Sequence, residues 1–108
     1  MLGEDPRTSE VMRRGVELCR LLPPKWDRND GSIDMYYWYY GSKALARVGG
    51  DAWDQWRAAC TATITVNQRL DTDECMYRGS WDPIDTWGGD GGRVYSTAIC
   101  VLSLLLTQ

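Results

Sequence analysis

Four stretches of this 108-residue chain carry apolar residues at helical spacing. In 8–22, TSEVMRRGVELCRLL, the residues Val11, Gly15, Leu18 and Leu22 fall at steps of four, three and four, while Arg13, Arg14, Glu17 and Arg20 lie mostly on other faces. This predicts an amphipathic helix. Thr8 or Ser9 can cap its start, and Pro23-Pro24 stops it, because the residue before a proline is pushed out of the α region.

A turn-forming stretch, KWDRNDGS at 25–32, leads into IDMYYWYYGSKALARV at 33–48. The block of consecutive aromatics from Tyr36 to Tyr40 would suit a strand. Its continuation through Ala44, Leu45, Ala46 and Arg47 favours a helix, which Gly49-Gly50 ends. Met35, Trp38, Tyr39, Ser42, Leu45 and Ala46 share one face of it. Asp51 can cap a third helix that carries Trp53, Trp56, Cys60, Thr63 and Ile64 on one side to about Asn67, although TATITV at 61–66 is β-prone. Residues 68–92 show little periodicity, and 94–106 reads as a largely apolar fourth helix. The order predicts an all-α single domain of two αα-hairpins, about 7–48 and 51–106. These read as two copies of one unit: Asp34-Met35-Tyr36 and Arg93-Val94-Tyr95 start their second helices, Leu45 and Leu104 share the same offset, and Trp26-Asp27 and Trp81-Asp82 precede them.

Composition narrows the chemistry. Six Trp and six Tyr occur without a single Phe, so nearly every aromatic carries a donor that needs a partner when buried. The net charge is −3 and no basic cluster follows the aromatics, which leaves no electrostatic footprint for nucleic acid. The absence of His removes the commonest general base, the Ser-His and Cys-His nucleophile pairs and the mixed Cys/His zinc sites. No cofactor is implied. Cys19, Cys60 and Cys100 fall in predicted helices as small hydrophobic fillers, whereas Cys75 lies in a loop and is the better candidate for reactivity or a disulfide. The first ten residues contain no apolar signal core, and the longest apolar run, 98–106, is about half of a bilayer span. A cytoplasmic location without a membrane span is the default expectation.

The segment GSWDPIDTWGGDGGRVYST at 79–97 is the part of the chain most like a site. As a phosphate loop it has glycines and Arg93 at a helix start, but it lacks GxxxxGK[ST] and GxGxxG, and Asp90 would repel an anion. As a metal loop it offers Asp82, Asp85 and Asp90, with Asp71, Asp73 and Glu74 upstream. The earlier DRNDGSID stretch at 27–34 resembles a calcium loop in the wrong register, with Gly31 one place early and Trp38 where the closing Glu belongs. Solvated turn acids account for both. No carboxylate pair can be selected for acid/base work, since sequence does not show which acids converge. Trp38, Tyr39, Trp81 and Trp87 are candidates to line a pocket for an apolar ligand, set against packing in the core or at an oligomer interface.

Together, GSWDP, WG and GGRVYSTAICVLSL within 79–104, and DMYYWYYGSKALARVGGDAWDQW at 34–56, resemble the prenyltransferase and squalene-oxidase repeat of squalene-hopene cyclase-like proteins. The resemblance implies αα-hairpins that belong to an α/α toroid, with a Gly-x-Trp turn ahead of the inner helix. Gln68 followed by Gly79 and Trp81 looks like a stretched form of that family's Gln-Trp motif, in which Gln caps a helix and stacks on Trp. Pro83 stiffens the turn, and Gly88 to Gly92 lead into the helix. The acid motif DxDD of the cyclases is absent, DTDE at 71–74 being different, and the zinc ligands of the protein prenyltransferases would need a His. Two hairpins do not close a ring of about six. The expectation is therefore a non-catalytic repeat or assembly module, acting as a homo-oligomer or with the remainder of a longer toroid chain. The alternative is a site for an isoprenoid-like apolar small molecule.

Overall fold

The computed structural model describes residues 6–70, 75–85 and 88–108; Trp87 and the acidic run 71–74 lie outside the described residues. The fold is all-α, with α1 (Pro6–Leu21), α2 (Met35–Val48), α3 (Gly50–Val66), a 3₁₀ turn (Cys75–Tyr77) and α4 (Gly88–Leu106), and no strand among the described residues.

Helix ends follow from local chemistry. Asp34 caps α2 by accepting the Tyr37 N–H at 3.0 Å. At the other end the Gly49 N–H bonds the Leu45 carbonyl at 2.9 Å, and Gly49 adopts φ +71°, a region that penalises any side chain. Gly49 is also the cap of α3, without a side-chain hydrogen bond, so Asp51 sits in the first turn and is not the cap. The reason is that the chain reverses within the Gly49-Gly50 pair, and α3 is under way before Asp51 is reached. The β-prone TATITV segment is helical, because Cys60 and Ile64 are buried at that spacing and tertiary packing overrides propensity. A break at Gly92 (φ +69°) splits α4, so that a short turn precedes the long helix running from Arg93.

Helix α2 is the centre of the core. It packs chiefly on α4 and α3, while α1 lies against α3. Its inward face is Met35, Trp38, Gly41, Ser42 and Leu45; Ala46, expected there, is exposed and Gly41 takes the contact instead. The cause is Trp56 on α3. A Cβ at Gly41 would lie 2.5 Å from the indole Cζ2, so only glycine allows the ring this close. The Trp56 indole N–H donates to the Ser42 hydroxyl at 2.9 Å, which donates to the Trp38 carbonyl at 2.7 Å. A buried tryptophan donor is thus satisfied inside the core.

Helix α1 is set differently from its periodicity. Val16 and Cys19 pack toward the core, whereas Val11, Leu18 and Leu22 of the predicted stripe are 68%, 54% and 56% exposed. The connection to α2 fixes this rotation: the Tyr37 hydroxyl donates to the Leu22 carbonyl at 2.8 Å and the Thr63 hydroxyl to the Pro24 carbonyl at 3.2 Å. Gly15 lines a groove between α1 and α2 with Ala44, Leu45 and Val48, with nothing within 4 Å of a Cβ built on it, at a cost of about 1 kcal/mol of helix propensity relative to Ala. The radius of gyration, 15.3 Å, exceeds the roughly 13 Å of a compact domain this size.

Gly41→Ala gains helix propensity but drives a methyl into Trp56. The overpacking cost of about 1–3 kcal/mol exceeds the gain, so the variant should show a lower urea midpoint than the wild type.

Candidate functional site

Trp81 is the peg of the loop between α3 and α4. It is 2% exposed, and its indole N–H donates to the Ile64 carbonyl in the last turn of α3 at 2.7 Å. That carbonyl also accepts the Asn67 N–H at the helix end at 3.3 Å, and the ring adds a second, shorter cap to α3 from outside. The peg's own backbone is held by α4: its N–H donates to the Thr97 hydroxyl at 3.3 Å, and the Ser96 hydroxyl donates to its carbonyl at 2.5 Å. Upstream, Gly79 (φ +84°) makes the turn. Arg69 and Gly79–Ser80 pair through backbone bonds of 2.8 and 2.7 Å, and the Gln68 amide donates to the Gly79 carbonyl at 2.9 Å. Gln68 and Trp81 therefore meet through the backbone of the turn. Gly88 lies directly on the Pro83 carbonyl, leaving no room for a side chain.

The three candidate metal acids are each placed elsewhere. Asp82 accepts from Arg93 at 2.7 Å and Arg69 at 3.2 Å, with Arg28 at 3.9 Å, and the Arg93 guanidinium also lies 4.1 Å over the Tyr77 ring. Burial on its own would raise the Asp82 carboxyl; Arg93 and Arg69 outweigh it and hold the pKa below the ordinary value. Asp85, 8% exposed, accepts the Met35 N–H at the start of α2 at 3.1 Å and the Tyr95 hydroxyl at 2.8 Å, both on Oδ2. Its Oδ1 is buried without a hydrogen-bond partner. Asp90 is exposed in the first turn of α4. Among the described residues no three acids or cysteines converge on a point. In the 27–34 loop the acids serve as turn formers: Asp27 accepts the Asn29 N–H and Asp30 the Ser32 N–H, both at 2.9 Å, around Gly31 at φ +74°.

Trp38 and Trp81 are packed in the core, where Trp26 lies 5.9 Å from Trp38, and Tyr39 is half-buried beside Tyr40 and Lys43. A concavity lies between the end of α1 and the 25–34 loop, a cleft of about 640 Å³ lined by Leu18, Leu21, Leu22, Pro23 and Tyr37. Its polar rim carries Lys25 bonded to Asp30 at 2.8 Å, a contact that, with Ser32, pulls the Asp30 carboxyl down to about 2.

Reactive chemistry is muted among the described groups. Burial pushes the Cys60 thiol up, and burial followed by the nearby Asp85 charge pushes Cys100 up to about 12. Both are thiols rather than thiolates near neutral pH, which is the unreactive form. Burial and the bond to Asp85 likewise raise Tyr95. Asp85 was indistinguishable in sequence from the other loop acids: the contact that defines it is made to a residue 50 positions away. Comparison with protein-family models, curated proteins and solved structures finds no match.

Two outcomes follow from the acids. Because its folded pKa is depressed, Asp82 contributes stability that is fully present above the unfolded value of about 3.9 and is lost as pH falls through the folded value; Asp82→Asn should flatten this acid limb in melts recorded between pH 5 and pH 2. Tyr95→Phe takes one of the two donors from a buried carboxylate and should cost about 1–3 kcal/mol by denaturant titration, with little change in helical content.

Proposed function

We propose that this chain is a helical-repeat module whose work is assembly through apolar helix faces. The observation that carries the reading is the rotation of α1, where Val11, Leu18 and Leu22 of the predicted apolar stripe are turned to solvent while, among the described residues, Val16 and Cys19 pack inward. An apolar stripe of this kind is ordinarily covered by something. The layering supports the same reading: α2 lies beside α4 and α1 beside α3, as corresponding helices do in stacked αα-hairpins, where each unit buries its open side on a neighbour. A squalene-cyclase-like repeat that has kept the hairpin without the acid motif is the family form of this proposal. A cytoplasmic setting belongs with it, in keeping with free thiols at Cys19, Cys60 and Cys100. No helix among the described residues is long and apolar enough to cross a membrane.

A second reading has its own observation, the cleft of about 640 Å³, a size typical of small-molecule sites. Its wall is leucine rather than the tryptophans expected for an isoprenoid site. Light scattering after gel filtration at micromolar concentration tests the assembly reading. A dimer or larger species is expected, and a clean monomer would overturn it.

A further inference from the structure

Resting on the reading of the cleft beside α1 as a small-molecule site, we infer that its ligand is a primary amine carried on an apolar chain: the leucines take the chain, and Asp34 with the Tyr37 ring takes the ammonium.

The apolar side comes from the end of α1. Leu18, Leu21 and Leu22 line the cleft with Pro23, and each leucine keeps more than half of its surface open. None of these side chains carries a hydrogen-bonding group, so this side of a concavity of about 640 Å³ selects for an apolar body and nothing finer.

Polar recognition falls to the opposite side, formed by the 25–34 loop and the first turn of α2, and the charge there is lopsided. Lys25, Asp30 and Asp34 line the cleft. The Lys25 ammonium is held by Asp30 at 2.8 Å and Asp27 at 3.7 Å, and Arg28, the other cation of the loop, lies 3.9 Å from Asp82. Three carboxylates, Asp27, Asp30 and Asp34, thus stand around one ammonium. A carboxylate or phosphate headgroup would enter an excess of negative charge, where the nearest cation is already bonded to two acids. A cationic headgroup meets the complementary field.

Asp34 is the acid with an oxygen to spare. Its Oδ1 accepts the Tyr37 N–H at 3.0 Å as the cap of α2, and among the described residues its Oδ2 is bonded to no donor. Tyr37 follows one turn along the same helix and lines the same cleft. Its hydroxyl is committed to the Leu22 carbonyl at 2.8 Å, so what it offers a ligand is the ring, and an aromatic face attracts a cation. An open carboxylate oxygen and a ring at this spacing form a seat for an ammonium, with the leucines beyond it for the chain.

The test titrates the full chain by calorimetry with three probes of one length, decylamine, decanol and decanoate, at concentrations far below micelle formation. Decylamine is protonated near neutral pH, as a lysine side chain is. It should bind roughly five- to tenfold more tightly than decanol, and decanoate should bind least. Asp34→Asn keeps the helix cap, since Asn caps as well as Asp does, and removes the charge. Its circular dichroism spectrum should match the wild type, while the advantage of the amine over the alcohol disappears. Leu21→Ser, at an open position, should weaken the amine and the alcohol alike. Equal affinity for amine and alcohol, a preference for decanoate, or an amine preference that survives Asp34→Asn overturns the headgroup assignment and leaves the cleft as a site for another ligand. No binding of any probe, or binding that Leu21→Ser does not change, overturns both the assignment and the reading of the cleft.

Discussion

The arrangement of the last two helices depends on one buried side chain, Trp81. Two effects act through it, and they differ in size. Burying an indole removes some 150–250 Å² from water, or about 4–6 kcal/mol at ~25 cal/mol per Å², whereas its hydrogen bond to the Ile64 carbonyl is worth about 1 kcal/mol net. Burial supplies most of the stabilisation, and the bond supplies the direction. An apolar ring of equal size could fill the space in several orientations, but only an indole N–H aimed at the end of α3 fixes which way the loop passes. Ser96 and Thr97 then hold the peg's backbone, so the end of α3, the loop and the start of α4 are set together.

Around that peg the acids act as ties. Asp85 joins the start of α2 to Tyr95 near the start of α4, which sets these two helices side by side from the same end. Asp82 joins Arg69 beyond α3 to Arg93 at the start of α4. Asp82 through both oxygens and Asp85 through Oδ2 accept from donors that belong to the protein, which is why these loop aspartates behave as scaffold. The glycines have a similar role. Gly49 and Gly92 share nearly the same unusual backbone angles, φ +71° and ψ −161° against φ +69° and ψ −166°, and each marks the point at which a new helical run starts.

Much of this was legible in the sequence because it is local. Helical spacing, the Gly49-Gly50 stop and the start of the long helix at Arg93 all depend on neighbours a few residues away. The turn role of Gly79 was legible for the same reason. Three features depended on distant neighbours and were not. Gly41 replaced Ala46 on the inner face because of Trp56 in another helix. Asp85 became distinct from Asp82 and Asp90 only through contacts with α2 and α4. The rotation of α1 was decided by Tyr37 and Thr63 gripping the carbonyls of Leu22 and Pro24, and periodicity within α1 carries no trace of either.

The thiols give the molecule built-in reporters of its own motion. Cys19 is half-buried under α1, while Cys60 and Cys100 are sealed between α2, α3 and α4. A small alkylating reagent can reach the first when α1 lifts, but the other two only when the central helices part. Labelling rates at these positions separate peripheral fraying from opening of the core, on one unmodified chain and without any probe attached.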